Sequence, residues 1–247
     1  MKNDKTQTLD DRFQIEHHFT EGFAAFDEVI HAAIHRRGDC RNGRIIADMS
    51  PLPLQSPAME TLHPYTDTAA RDAVIDHTRV WLERAVIGLN LCPFAKSVFV
   101  KKQVRYAVTA AQTADELLAE LAAELTRLAE TEDSVLDTTL LIHPRAMVDF
   151  LDYHFFLAEA DALIRNLGYD GIFQIASLHP DYEFAGSDPD DIANFTNRSP
   201  YPTLHLLRES SIDRAVAAFP DAADIFERNI DTMERLGHEG WRKLWLA

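Results

Sequence analysis

Cysteine is scarce. Cys40 and Cys92 are the only two in 247 residues, too few for a disulfide framework and suited to a reducing, cytoplasmic compartment. Long apolar runs are missing as well: no stretch approaches the roughly 20 residues that cross a bilayer. The first ten residues (MKNDKTQTLD) hold no apolar run of the kind a secretory leader needs. Positive charge is in deficit, with 24 Lys and Arg against 40 Asp and Glu, a net of −16. That balance argues against a general nucleic-acid binder, which must neutralise phosphates, and against docking on anionic membranes. No Walker loop, Gly-x-Gly-x-x-Gly, Gly-x-Ser-x-Gly or Cys-x-x-Cys occurs, which removes the simple nucleotide, hydrolase and zinc-ribbon readings and leaves no cofactor motif. No repeat of solenoid length is visible.

What is present suffices for a folded core: 46% of residues are apolar and 26% charged. Pro51, Pro53, Pro57 and Pro64 mark a composition break that reads as a linker. The chain therefore divides into an N-terminal helical extension (1–48), a Pro-rich linker (49–69) and a single α/β domain (70–247). In the extension, Phe19, Phe23, Phe26, Ile30 and Ile34 form one apolar stripe at helical spacing. Such a stripe needs a partner, on the main domain or on a second subunit.

Beyond the linker, helical and strand patterns alternate. Helices are expected over 70–88, 113–130, 146–166, 211–219 and 221–236, the second capped by Thr113 and the third stopped at Gly168. Strands are expected at 104–108, 138–142, 172–178 and 203–207. Strands separated by helices imply parallel pairing through right-handed crossovers. The expected fold is a mostly parallel sheet of about four strands flanked by helices. A thioredoxin-like order is the alternative, weakened by the missing Cys-x-x-Cys.

Two strands end alike: LLIHP puts His143 after one, and ASLHP puts His179 after the next. In parallel sheets ligands gather beyond the carboxyl ends of strands, where imidazoles serve as bases, metal ligands or orienting groups; otherwise His-Pro merely terminates a strand. The loop from His179 to Pro202 is long for a compact domain and carries Asp181, Asn197, Arg198, Ser199 and Tyr201. Within it, Ser187 or Asp188 is expected to cap a short helix, with Asp190 and Asp191 near its positive end. Arg198, between Asn197 and Ser199, could present a fork to a carboxylate or phosphate, or pair with the loop's own acids. Cys92 follows a helix end in a stretch, 84–114, with five bases and no acid. A positive field activates a thiol whereas a helix C-terminus does the reverse, and the alternative is a buried packing thiol. His31 and His35, at i and i+4, lack a third ligand. Arg208-Glu209 reads as a surface ion pair, His205 as a sheet residue, and Trp241 and Trp245 as a C-terminal staple.

The segments VIGLNLCPFAK (86–96), HPDYEFAG (179–186), NFTNRSPYPTLHLLRE (194–209) and FERNIDTMERLG (226–237) resemble the family called domain of unknown function 1415. The resemblance covers roughly 70–237. It implies no activity, cofactor or catalytic set, but it places Cys92, His179, Asp181, Asn197, Arg198 and Tyr201 in motif-bearing segments. On the residues themselves, the favoured expectation is a cytosolic enzyme acting on a small anionic metabolite. His179 oriented by Asp181 would be the acid/base, Cys92 a nucleophile or redox thiol, and Asn197, Arg198, Ser199, Tyr201 and His143 the binding groups. The alternatives are a metal-binding protein using His143, His179, Asp181 and Cys92, and a non-catalytic partner protein docking through the 12–36 helix.

Overall fold

The computed structural model describes residues 68–218 and 225–245; the N-terminal extension, the linker, His31, His35 and Cys40 lie outside the described residues. By its contacts the chain divides into two units, one formed by 64–182 with 189–247 and another that includes 183–188. Within 183–188, the Ser187 N–H and hydroxyl both donate to the Phe184 carbonyl, at 3.1 and 2.9 Å.

The larger unit opens with α1 (Thr68–Trp81), which runs on through a π-helical turn, Leu82–Ile87. Then come α2 (Ala95–Val100), β1 (Val104–Val108), α3 (Ala114–Glu130), β2 (Thr138–Ile142), α4 (Phe150–Asn166) and β3 (Phe173–Leu178). A 3-10 turn (Ile192–Thr196), β4 (Thr203–Arg208), α5 (Glu209–Ala218) and α6 (Ile225–Lys243) complete it. α6 is kinked at Gly237, whose φ of 61° is left-handed and suits the one residue without a Cβ.

The elements form where local chemistry agrees with burial. In α3, Leu117, Leu121, Leu125 and Leu128 fall on one face and are fully buried. Its start is a capping box: the Thr113 hydroxyl accepts from the Glu116 N–H, and the Glu116 carboxylate accepts from the Thr113 N–H, both at 3.3 Å. Its end is closed by Arg208, whose Nη2 donates to the carbonyls of Thr131 at 2.6 Å and Leu136 at 3.1 Å. Arg208 thus caps a helix instead of forming the surface pair with Glu209 that their adjacency suggested.

The four strands flanked by helices are as expected, but their directions differ in one respect. The sheet order is β1-β2-β4-β3, with β1 and β2 parallel and β4 antiparallel to both β2 and β3. Two of three ladders are therefore antiparallel. The reason lies between β3 and β4, where the chain supplies a 3-10 turn and no crossover helix, so β4 returns alongside β3. With β1 at the sheet edge, the order is also not thioredoxin-like, where the first strand is central. Because β4 is inverted, β2 and β3 still point the same way, and their carboxyl ends share one rim with the start of β4.

One face of the sheet, through Ala107, Leu141, Phe173, Leu204 and Leu206, packs on α3 and α4. On the other, Leu140 and Ile142 pack on Val74 of α1, while Trp81, Leu82 and Ala85 gather Phe99, Tyr106, Leu178, Trp241 and Leu244 around them. Trp241 meets Trp245 and Phe195 edge-on, so the aromatic C-terminus does act as a staple.

The first face also carries an ion pair. Arg105 of β1 holds Glu124 of α3 with a two-pronged pair, Nε to Oε2 at 2.7 Å and Nη2 to Oε1 at 2.9 Å, and the Glu124 side chain is only 8% exposed. Truncating the partner strands a buried carboxylate. Arg105→Met should cost about 2–3 kcal/mol in urea unfolding, and the double change Arg105→Met/Glu124→Met should recover most of it.

Candidate active site at the strand-end rim

The rim is assembled by main-chain bonds. The His143 N–H donates to the Pro202 carbonyl at 3.0 Å, and the His179 N–H to the Asn197 carbonyl at 3.2 Å. The Ser199 N–H returns to the His179 carbonyl at 3.4 Å. Trp81 Nε1 donates to the Arg198 carbonyl at 2.9 Å, tying α1 to the same loop. His143, His179, Asp181, Asn197, Arg198, Ser199 and Tyr201 therefore sit at one end of the sheet.

Beneath them lies Tyr153 of α4, fully buried. Its hydroxyl donates to the Thr203 carbonyl at 2.9 Å and accepts from the Leu178 N–H at 3.1 Å. The His143 ring stacks on it at 5.7 Å and the His179 ring tilts against it at 5.1 Å. Phe150 closes over His179 and Tyr182, each at 5.3 Å. Burial raises the pKa of the Tyr153 and Tyr182 hydroxyls.

The two imidazoles are buried and neutral, yet not equivalent. At His179, Nδ1 accepts the Asp181 N–H at 3.0 Å and Nε2 faces the Met147 carbonyl at 3.2 Å, so Nε2 carries the proton and both nitrogens are used. Asp181 meets the ring through its backbone N–H. At His143, Nδ1 donates to the Ala146 carbonyl at 2.9 Å, which makes Nε2 a lone pair. That Nε2 is buried with no hydrogen-bond partner. Burial depresses the pKa of both rings, that of His143 to about 4, and the neighbouring His179 depresses it further. The same short segment, 144–148, satisfies both rings, and it contains Met147 at φ 50°, a left-handed backbone that costs a branched or long side chain energy.

The remaining expected residues are placed as follows. Arg198 stacks over Phe195 at 4.2 Å, and donates Nε to the Tyr182 carbonyl at 3.1 Å and Nη2 to the Pro189 carbonyl at 2.7 Å. It pins the loop. Asn197 Nδ2 donates to the Ser177 carbonyl at 3.4 Å, and buried Ser199 donates to the Tyr201 carbonyl at 2.7 Å. The Tyr201 hydroxyl lies 2.9 Å from Nδ1 of His77, with the rings stacked. His77 had no motif to mark it; only its place on the exposed side of α1 could have. The cap of the 3-10 turn is Asp191, whose carboxylate accepts from the Ala193 N–H at 2.9 Å, not Ser187 or Asp188. Cys92 stands apart, between the π turn and α2. Burial pushes its thiol pKa up, against the lowering by the Phe94 and Ala95 amides, so the basic stretch does not produce a thiolate there. Among the described residues, no group of three or more His, Cys, Asp or Glu is placed to hold a metal ion.

The model of the family described as "Protein of unknown function (DUF1415)" matches residues 73–243. The chain belongs to this family. No curated protein and no solved structure shows significant similarity to it. Among the described residues no helix is long and apolar enough to cross a membrane.

The buried imidazoles predict acid sensitivity. A histidine depressed in the folded state binds its proton more readily when unfolded, so its contribution falls as pH drops below 6.5 and levels off near the folded value. His143 alone should cost about 2 kcal/mol of stability between about pH 7 and pH 5. His143→Asn, which retains a donor near the Nδ1 position, should flatten that part of the slope in urea titrations at the two pH values. Tyr153→Phe orphans a buried N–H and a buried carbonyl together, and should lower stability by about 1–3 kcal/mol at neutral pH.

Proposed function

We propose that the chain is a cytoplasmic enzyme acting on a small metabolite by proton transfer at the strand-end rim, with His143 Nε2 as the acid/base atom. The observation that carries the reading is that Nε2: a lone pair, fully buried, without a partner. A buried orphan of this kind calls for a ligand, a water or a catalytic use, and a perturbed titratable group beside a strained backbone is where chemistry concentrates. His179 is the positioning residue. Its two nitrogens are spent on Asp181 and Met147, and they fix the turn that covers His143.

A neutral acceptor in a dry environment complements a hydroxyl, an N–H or an acidic C–H. The substrate therefore presents one of these to Nε2, and the 144–148 segment lifts to admit it. Arg198 does not supply an anion fork on this reading, because its Nε and Nη2 are committed to loop carbonyls. The net charge of −16 and the two cysteines support a small-molecule partner in a reducing compartment over nucleic acid or membrane.

The test is a thermal-shift screen of the full chain against hydroxy acids, sugar phosphates and amino acids. A stabilising ligand should lose its shift in His143→Asn while that variant remains folded by circular dichroism. Ligand shifts that all survive His143→Asn, or a panel that never shifts the parent protein, would overturn the assignment.

A further inference from the structure

Away from the rim, two segments distant in sequence enclose a cleft of about 190 Å³. One wall is the turn after the π-helical segment, from Leu89 to Pro93; the other is the first half of α6. Its polar lining is Asn90, Arg228, Asn229, Asp231, Thr232 and Arg235. The walls are joined by Asn229, whose Nδ2 donates to the Leu91 carbonyl at 2.9 Å. Asn90 holds the turn in the left-handed region at φ 57°, a conformation asparagine tolerates and most residues avoid. A π-helical turn leads directly into it, a feature often found beside functional sites.

The apolar burial of α6 does not involve these polar groups. Its burial is through Met233, with Trp241 and Leu244 packed near α1. Arg235 is oriented by its own helix, Nε to the Asp231 carbonyl at 3.1 Å and Nη2 to the Thr232 hydroxyl at 3.3 Å. Two of its five N–H donors are thereby used, and the fork is held in a fixed direction. In a chain of net −16, a cleft with two guanidiniums and one carboxylate is a local reversal of sign.

We propose that this cleft binds a small molecule through a single oxyanion group, a carboxylate or a phosphate. Arg235 and Arg228 supply the charge, and Asn90 and Thr232 the neutral hydrogen bonds. Asp231 on the same wall repels additional negative charge, so the rest of the ligand is neutral or positively charged. The assignment is independent of the rim.

Titrating the full, isotopically labelled chain with inorganic phosphate and, separately, with acetate at constant ionic strength tests it by amide NMR. One of the two should produce saturable shifts confined to 89–93 and 225–235, with a Kd on the order of 1 mM; which one does so separates phosphate from carboxylate recognition. Arg235→Gln should weaken binding about tenfold or more, Arg235→Lys less so, and His143→Asn not at all. Shifts that never saturate, that spread equally over Lys96, Lys101 and Lys102, or that persist in Arg228→Gln/Arg235→Gln would overturn it.

Discussion

The hydroxyl of Tyr153 bridges the last N–H of β3 and the first carbonyl of β4, at the end of the ladder that pairs Leu178 with Thr203. Tyr153 is fully buried, and both backbone groups find their partner in its side chain. A phenol is well suited, since one oxygen donates and accepts at once and its ring fills the space below the imidazoles. The geometry of the rim follows from this bridge: the ring fixes where His143 and His179 stack, and the hydroxyl fixes the separation of the strand ends that carry the 179–202 loop. The same burial keeps every member of the cluster uncharged.

The inversion of β4 has a consequence for the rim. A fourth parallel strand would have started at the opposite end of the sheet. Running antiparallel between β2 and β3, β4 begins at their carboxyl ends, so Asn197 to Pro202 lies beside His143 and His179. Residues 189–202 therefore need not cross the sheet, and Arg198 and Asp191 help to hold their shape.

How much of this could be read from the sequence depended on whether the signal was local. The four strands were legible as apolar runs, and α3 as a leucine stripe behind a Thr-x-x-Glu cap. The shared rim of the two His-Pro strand ends was legible too, because it needs only the direction of β2 and β3. The direction of β4 was hidden in what the connecting loop lacks, a crossover helix. α2 escaped notice because Lys-Ser-Val-Phe-Val is short and rich in strand-favouring residues. α4 begins at Phe150, not near 146, because Asp149 caps it and the residues before it are taken up by the turn that the histidines hold. Arg198 and Cys92 each left two readings open for a common reason. Residue type and net charge suggested a fork and a thiolate, whereas the outcome was set by carbonyls and burial contributed from elsewhere in the chain.

The distribution of charge would give the two proposed sites different selectivities. Among the described residues, Glu124 is the single buried carboxylate, and Arg105 pairs it. At the rim, tyrosine and histidine are both driven toward their neutral forms. A site of that kind cannot recognise charge without reorganising, and it discriminates by hydrogen-bond polarity and shape, where an unmet buried acceptor penalises the wrong ligand. The α6 cleft has the opposite physics. It is open to solvent and built on guanidiniums, so it gains from charge and is weakened by salt. One small molecule would have to be both uncharged at its donor and anionic elsewhere to suit both.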